Sequence, residues 1–356
     1  MGSSTVVRAE ETETVNTTAS GSLVLVTGAS GMLGRAVAAE LLSRGHRVRT
    51  FHRGATSVEG TELVRGSVTD RSAVDRAIDG ADAVVHLAAK VSFTGDWEEF
   101  AATNIDGTRN LLEAARAANV PDFVFVSSPS VAHLGSSIVG EGAGPADPVS
   151  ARGNYARSKA SAELLALAAD RPGFRVAVVR PHVVWGPGDT QLVERVIDRA
   201  RSGRLPLLDG GTALIDTTYV DNAADAIAQA LELIESAHGR PLVVTNGEPR
   251  PVGELIAGIC AAGGVPAPRF SVSGSVARAA GSLIERAWGV ALHRGWVSDE
   301  PPMTKFLAEQ LSTAHWFDQR ATHEVLDWRP SVSIDEGLAR LAEHYGGSAP
   351  SPKAKR

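Results

Sequence analysis

The stretch Thr27-Gly-Ala-Ser-Gly-Met-Leu-Gly34 decides the fold of this chain. Before it, Leu23-Val-Leu-Val26 has the composition of a short buried strand. After it, Leu33, Val37 and Leu41 recur at the spacing of one helix face, and Gly45 ends the run. A strand, a glycine turn and a helix in this order predict the first βαβ unit of a nucleotide-binding domain.

The three glycines of the turn have separate expected roles. Gly28 allows a sharp turn off the strand, Gly31 lets backbone N–H groups approach a pyrophosphate, and Gly34 lets the helix pack close to the sheet. Their spacing is G-x-x-G-x-x-G, whereas most dinucleotide enzymes have G-x-G-x-x-G. We expect the cofactor to contact Gly28, Ser30, Gly31, Met32, Leu33 and Gly34.

The end of the second predicted strand, His46–His52, bears on the choice of cofactor. In NAD-preferring folds an acidic side chain near this point binds the ribose 2′-hydroxyl. Here His52 and Arg53 occupy the position, and the next acid is Glu59. Because a cation suits a 2′-phosphate, we expect NADP(H) to be preferred and NAD(H) to remain an alternative. The competing interpretation is that Arg53 is only a solvated surface charge.

Strand signals continue along the chain at Glu62–Arg65, Asp82–Leu87, Asp122–Val126 and Phe174–Arg180, and helical runs separate them. This alternation predicts an α/β fold with a parallel, doubly wound Rossmann sheet that binds ligands outside the carboxyl ends of its strands. Leu87, Ala88 and Ala89 end one of these strands. Their small side chains would let the backbone pass close to the adenosine end of a cofactor.

The alternation loosens beyond Pro181. We therefore expect a smaller, mostly helical substrate domain after the nucleotide-binding domain, with some segments returning to the main sheet. The predicted boundaries are a flexible tail at 1–20, an NADP-binding Rossmann domain at 21–185, a substrate domain at 186–345 and a second tail at 346–356.

Composition excludes several classes of function. A net charge of −6, a pI near 6.0 and the lack of a long basic run argue against a nucleic-acid partner. Cys260 is the only cysteine and the ten histidines are scattered, so no metal site is expected. Residues 1–21 are polar, unlike a signal peptide, and no 18-residue apolar run occurs. These features predict a cytoplasmic protein.

Candidate catalytic side chains lie at Tyr155 and Lys159, which share one face of a predicted helix. A free tyrosine has a pKa near ~10, and a neighbouring cation favours the phenolate, which brings the group into range as a general acid–base. Ser128 follows the Asp122–Val126 strand, at the edge where the cofactor is expected. Its hydroxyl could hold a substrate carbonyl oxygen while Tyr155 transfers the proton.

The glycine turn, Ser128 and the Tyr155/Lys159 pair together resemble the extended short-chain dehydrogenase/reductases. Further motifs are similar to the 3β-hydroxysteroid dehydrogenase branch of that family, and especially to bacterial 2-alkyl-3-oxoalkanoate reductases. These motifs are His86–Lys90, Ser127–Val131, Arg180–Asp189, Asp216–Asn222 and Glu300–Lys305. The resemblance extends from about Ser22 to Tyr345.

The resemblance implies roles for individual residues. Ser128, Tyr155 and Lys159 match the catalytic triad and Asn104 matches its supporting asparagine. Lys159 would also hydrogen-bond the nicotinamide ribose, and the backbone from Pro181 to Val183 would meet the nicotinamide carboxamide. Many relatives carry an acid that contacts adenine where this chain has Ser67, which leaves the backbone of Val68 as the expected contact.

The resemblance implies an NAD(P)-dependent oxidoreductase that interconverts a secondary alcohol and a ketone on a lipophilic small molecule. Two rival functions are a nucleotide-sugar epimerase or dehydratase and a non-catalytic NADP-sensing regulator. Such dehydratases place acids just after the serine, where this chain has Pro129 and Ser130. Sensors of that kind usually lose the Tyr/Lys pair, which is present here.

An apolar helical face is predicted between Val276 and Leu292. It is formed by Val276, Ala280, Leu283, Ile284, Ala287, Trp288, Ala291 and Leu292. The face could pack on the domain core or on a second copy in a homodimer, lie on a membrane surface as a peripheral contact, or cover a large apolar substrate as a lid. The sequence leaves these alternatives open.

Overall fold

A computed structural model of the chain describes residues 21–92, 95–133, 135–294 and 305–346. Apart from Gly346, both predicted tails lie outside the described residues. The motif Glu300–Lys305 also lies outside them, except for Lys305.

The strands within these ranges are short and spread along the whole chain. They are β1 (Leu23–Thr27), β2 (Arg47–His52), β3 (Glu62–Arg65), β4 (Ala83–His86), β5 (Asp122–Val126), β6 (Ile138–Glu141), β7 (Arg175–Pro181), β8 (Val184–Trp185), β9 (Leu207–Leu208), β10 (Leu214–Ile215), β11 (Thr218–Tyr219), β12 (Pro241–Val244), β13 (Arg250–Pro251), β14 (Ser271–Val272) and β15 (His315–Phe317).

Helices connect most of the strands. They are α1 (Met32–Ser43), α2 (Arg71–Ile78), α3 (Trp97–Phe100), α4 (Gly107–Ala117), α5 (Gly153–Ala169), α6 (Val193–Arg201), α7 (Val220–Glu232), α8 (Ile234–Ala237), α9 (Val252–Ala262), α10 (Gly274–His293), α11 (Lys305–Ser312), α12 (Arg320–Leu326) and α13 (Ile334–Tyr345). A π-helix, Ala101–Asp106, joins α3 to α4, and 3₁₀ turns occur at Pro129–Ala132 and Asp209–Gly211.

The central sheet has seven parallel strands in the order β12-β7-β5-β4-β1-β2-β3. The chain runs outward from β1 to β3 and then returns to β4 on the other side of β1. The carboxyl ends of β1 and β4 therefore flank the point where the direction of winding reverses, which is where such sheets bind ligands. The predicted doubly wound Rossmann sheet is confirmed.

Two apolar layers cover the faces of this sheet, as expected for parallel strands that are buried on both sides. On one face, Val24, Val26 and Val124 pack with residues of α1 and α7. On the other, Leu25 and Phe123 pack with residues of α2, α4 and α5. Successive residues of each strand thus contribute to opposite cores.

The later part of the chain has its own core, in which Trp185 packs with apolar residues of α6, α9 and α13. Two strand exchanges tie this part to the first. β12 lies at the edge of the central sheet beside β7. In the other direction β6, which precedes α5, pairs in parallel with β15 in a second sheet of order β13-β10-β15-β6.

The structure differs from the sequence-based expectation at several boundaries. The sequence pattern of Asn104–Ala118 predicts one helix, but this segment begins in the π-helix. The pattern of Ile215–Tyr219 predicts one strand, but its residues are divided between β10 and β11. None of the helices in the described ranges combines the length and apolarity needed to cross a membrane.

Candidate active site

The glycine turn between β1 and α1 makes unusually close backbone contacts. Gly28 has φ +76°, and a Cβ atom there would lie 2.8 Å from the backbone nitrogen of Ala88. A Cβ at Gly34 would collide with the carbonyl oxygen of Gly28. At Gly31, by contrast, the nearest atom to an added Cβ is 3.5 Å away. The turn is therefore closely packed at Gly28 and Gly34 and has free space beside Gly31.

The amino end of α1 fits a phosphate group. Gly31 is the N-cap and no side chain caps the first turn. Ser30 and Gly31 are exposed and Met32 and Leu33 are half-buried, so the first N–H groups of the helix face an accessible space. Because unpaired N–H groups and the helix dipole favour an anion, this end of the helix suits a dinucleotide pyrophosphate.

The carboxyl end of β2 places a buried histidine beside an exposed arginine. His52 is buried and neither of its ring nitrogens has a hydrogen-bond partner, whereas Arg53 is exposed. Burial, followed by repulsion from Arg65 on β3, lowers the pKa of His52. The two exposed cations, Arg53 and Arg65, suit an anionic group of a ligand.

The remaining residues expected to contact the cofactor lie at strand ends along the same edge. Leu87, Ala88 and Ala89 follow β4 and are half-buried, and Pro181 ends β7. Val183 has φ +42°, a strained conformation for a β-branched residue. Val68 lies further out, beyond β3, and its carbonyl accepts from Asn110 Nδ2 at 3.0 Å.

Ser128 and Tyr155 are brought together at this edge. Ser128 lies two residues after the end of β5. Its Oγ accepts from Ser130 N at 3.3 Å and from Ser130 Oγ at 3.0 Å. The Ser128 hydroxyl keeps its own proton to donate, and a side-chain hydrogen bond joins it to Tyr155. Tyr155 lies in the first turn of α5 and is half-buried.

Lys159 lies one turn further along α5 and is buried. Its Nζ donates to the carbonyl oxygen of Val126 at 2.7 Å and lies 4.0 Å from the centre of the Phe125 ring. Burial lowers the pKa of Lys159 to about 7, and Glu163 opposes this shift. Lys159 is thus held against the end of β5, next to Ser128.

The pKa of Tyr155 shifts in the direction opposite to the one expected from the sequence. Burial raises it to about 12, and the hydrogen bond from Ser128 opposes the shift. Lys159 does not lower this pKa, because its own pKa of about 7 leaves it uncharged at the pH where Tyr155 ionises. In this state Tyr155 is a protonated donor at neutral pH.

Asn104 is located in the π-helix and is buried. Its Oδ1 accepts from Lys90 N at 2.7 Å, and its Nδ2 donates to Lys90 O at 3.1 Å and to Ser158 Oγ at 2.8 Å. Ser158 Oγ in turn donates to the carbonyl oxygen of Tyr155 at 2.8 Å. Asn104 therefore contacts the turn of α5 that carries Tyr155.

Sequence reasoning did not identify Ser158, the strain at Val183 or the part played by Ser130. The position of Ser158, next to Lys159, was the only available signal. The described ranges contain no group of three His, Cys, Asp or Glu side chains arranged to hold a metal ion.

Residues 24–245 match the family described as the NAD dependent epimerase/dehydratase family. The chain belongs to this family. The enzyme is 40% identical over 328 residues to a 2-alkyl-3-oxoalkanoate reductase of Stenotrophomonas maltophilia, over 89% of this chain and 98% of the relative. It is 28% identical over 339 residues to a 3-beta-hydroxysteroid dehydrogenase of Mycolicibacterium neoaurum, over 90% of this chain and 91% of the relative.

The solved structure of gox2253 has a similar fold, with a TM-score of 0.72 and 27% identity over 91% of this chain and 99% of that one. The predicted membership of the extended short-chain dehydrogenase/reductases is confirmed. The enzyme is an NAD(P)-dependent oxidoreductase.

Proposed function

We propose that the enzyme interconverts a ketone and a secondary alcohol on a lipophilic substrate, with Tyr155 as the general acid–base. The observation that carries this proposal is the convergence of Ser128, Tyr155 and the buried Lys159 at the carboxyl edge of the sheet, beside the glycine turn. Ligands bind at this edge in doubly wound folds.

The protonated state of Tyr155 supports ketone reduction. A nicotinamide held at this edge would supply the hydride. The Tyr155 hydroxyl would donate its proton to the carbonyl oxygen. The Ser128 hydroxyl lies beside Tyr155 and can donate to the same oxygen. Lys159 would hold the nicotinamide ribose, and Asn104 would keep Tyr155 in place through Ser158. Proton transfer by a positioned side chain of this kind typically contributes ~10²–10⁴-fold to the rate.

Two relatives suggest the class of substrate. One is a 2-alkyl-3-oxoalkanoate reductase and the other a 3-beta-hydroxysteroid dehydrogenase, whose names indicate bulky, mostly apolar substrates. We infer that this enzyme takes a ketone or alcohol of similar character. The test is a screen of NADPH and NADH consumption with 2-alkyl-3-oxo acids, 3-ketosteroids and small aromatic ketones, and with nucleotide sugars as the rival class. Turnover of nucleotide sugars alone would overturn the proposal.

We infer that NADP(H) is preferred over NAD(H), because Arg53 and His52 occupy the end of β2. An arginine–phosphate contact is worth ~1.5–3 kcal/mol, which is roughly tenfold to a hundredfold in affinity. Arg53→Ala should therefore weaken NADPH binding by about that factor and leave NADH binding nearly unchanged, as measured by fluorescence titration. Arg47→Ala, at the exposed amino end of the same strand, is the matched control. Equal losses for both cofactors would show that Arg53 does not meet the phosphate.

We also propose that α10 covers the substrate. Along this helix Ala277 and Gly281 are buried and Ile284 and Trp288 are half-buried, which forms one inward stripe. Ala277 packs with Leu208 and with Ala308 of α11. Val276 was expected on this stripe but is 59% exposed. The side chains of Leu283, Ala287, Ala291 and Leu292 lie outside the described residues.

If α10 forms a lid, Trp288→Ala should raise KM for a long-chain or steroid ketone and change KM for a small ketone little. The reason is that removing apolar contact costs ~25 cal/mol for each Å² no longer buried. Val276→Ala, on the exposed side of the same helix, is the control. Equal changes for large and small ketones, measured on folded protein, would mean that Trp288 never meets the substrate.

A further inference from the structure

A continuous chain of buried hydrogen bonds connects the glycine turn to Asn104. Thr27 Oγ1 lies 2.8 Å from His86 Nδ1, and His86 Nε2 lies 2.9 Å from Thr108 Oγ1. Thr108 Oγ1 donates to the carbonyl oxygen of Asn104 at 2.6 Å. All four side chains are at most 1% exposed, so solvent cannot substitute for a missing partner. We refer to Thr27, His86, Thr108 and Asn104 as the His86 chain.

The direction of each bond follows from the number of protons available. Thr108 has one hydroxyl proton, which goes to Asn104 O, so Thr108 must accept from His86 Nε2. At the other end, Thr27 Oγ1 already accepts from Leu87 N at 3.1 Å and from Ala88 N at 3.0 Å. Thr27 therefore donates its proton to His86 Nδ1. The only consistent arrangement is a neutral imidazole with its proton on Nε2.

Electrostatics agree with a neutral ring. Burial, followed by repulsion from Lys159, lowers the pKa of His86 to about 3. A second proton on Nδ1 would face the hydroxyl of Thr27, which has no lone pair left to accept it. The aromatic rings of Phe123 and Phe125 pack against the imidazole and leave it little freedom to rotate.

The two ends of the His86 chain reach different parts of the site. Thr27 holds the backbone of Ala88, whose nitrogen would lie 2.8 Å from a Cβ atom added to Gly28 of the cofactor turn. Asn104 contacts Ser158, and Ser158 contacts the backbone of Tyr155. A shift of the glycine turn would therefore be transmitted to the backbone of Tyr155 through an unbroken series of hydrogen bonds.

We propose that His86 is a positioning residue that couples the cofactor turn to the seating of Tyr155, through its Nε2–H tautomer. This inference rests on the proposed role of Tyr155, although the tautomer and the coupling to cofactor binding do not. Because the ring donates at one end and accepts at the other, each half of the coupling can be removed separately.

Two substitutions separate the halves. In His86→Asn an amide oxygen takes the place of Nδ1, so the bond from Thr27 is kept and the bond to Thr108 is lost. In His86→Gln an amide nitrogen takes the place of Nε2, so the bond to Thr108 is kept and the bond from Thr27 is lost. One hydrogen bond corresponds to roughly a threefold to tenfold effect. We expect His86→Asn to lower kcat by about that factor and to change the cofactor Kd little. We expect His86→Gln to raise the cofactor Kd by about the same factor.

Thr108→Val should reproduce the kcat loss of His86→Asn, whereas Thr108→Ser should retain the coupling because it keeps the hydroxyl. If Kd and kcat change equally in both His86 variants, and the changes follow the loss of Tm, His86 has only a structural role. A second measurement needs no variant, substrate or cofactor: ¹⁵N NMR of wild-type imidazoles should show a neutral Nε2–H ring for His86. An Nδ1–H or doubly protonated ring near neutral pH would overturn the inference, even if ketone turnover is confirmed.

Discussion

Tyr155→Phe is expected to lower kcat by ~10²–10⁴ and to leave cofactor affinity nearly unchanged. The substitution removes only the hydroxyl, which is the atom proposed to transfer the proton and the one that Ser128 contacts. The ring remains to fill its place in α5. Steady-state rates with the best ketone of the substrate screen, together with a cofactor titration, provide the measurement.

Lys159→Ala is the informative comparison, because one side chain is proposed to serve both the reaction and the cofactor. Its Nζ is held by Val126 O at the end of β5, so its removal also leaves that carbonyl without a donor. Turnover and cofactor affinity should both fall in this variant. A Tyr155→Phe enzyme that works within a few-fold of the wild type would contradict the proposed mechanism.

Acidification should destabilise the fold before most of its carboxylates are protonated. Burial lowers the pKa of His86 to about 3, of His182 to about 4 and of His315 to about 3. An unfolded histidine has a pKa near ~6.5. Below that pH the unfolded chain therefore binds protons at these histidines, whereas the folded chain does not. Each of these histidines should cost about 1.4 kcal/mol per pH unit, or about 2 kcal/mol at pH 5.

Two of these histidines belong to a buried cluster. His315 Nε2 lies 3.0 Å from His133 Nε2, and His182 Nδ1 donates to Asp216 O at 2.6 Å. A proton on one ring repels the others, and Arg152 repels His133 further, whereas Glu309 attracts it. Asp216 partly offsets the loss. Burial raises its pKa to about 6, so its protonation favours the folded state by on the order of 1 kcal/mol at pH 5.

The net loss at pH 5 is therefore on the order of 4–5 kcal/mol, a large part of a typical stability of ~5–15 kcal/mol. Urea unfolding at pH 7.5 and at pH 5 measures it. His315→Gln should flatten the pH dependence, whereas His344→Gln, on the exposed side of α13, should not change it. If the free energy of unfolding changes equally with pH in both variants, the buried histidine cluster does not cause the loss of stability.

Local patterns were enough to predict much of this molecule. The β3 and β5 strands have the bounds that the sequence predicts, because their apolar residues and the segments that flank them are local features. The turn around Gly28 and the pairing of Tyr155 with Lys159 on one helix face likewise depend on short-range geometry.

Other features depend on contacts between distant residues. Asn104 lies in a π-helix and its side chain is bound by Lys90 and Ser158, and no local pattern reveals either feature. The raised pKa of Tyr155 follows from burial and not from the charge of Lys159, and burial is a property of the assembled fold. The sequence also contains no sign that β6 would pair with β15.

That pairing has a consequence for the biosynthesis of the enzyme. The segment between Ser128 and Tyr155 contains β6, whose partner β15 is formed by His315–Phe317, close to the carboxyl terminus. A ribosome delivers the central strands β1 to β5 early, but β6 must wait until the chain has been translated through Phe317. A nascent polypeptide can thus form its cofactor turn while the walls around Ser128 and Tyr155 still lack a partner strand. The segment that links Ser128 to Tyr155 can therefore complete its strand pairing only late in translation.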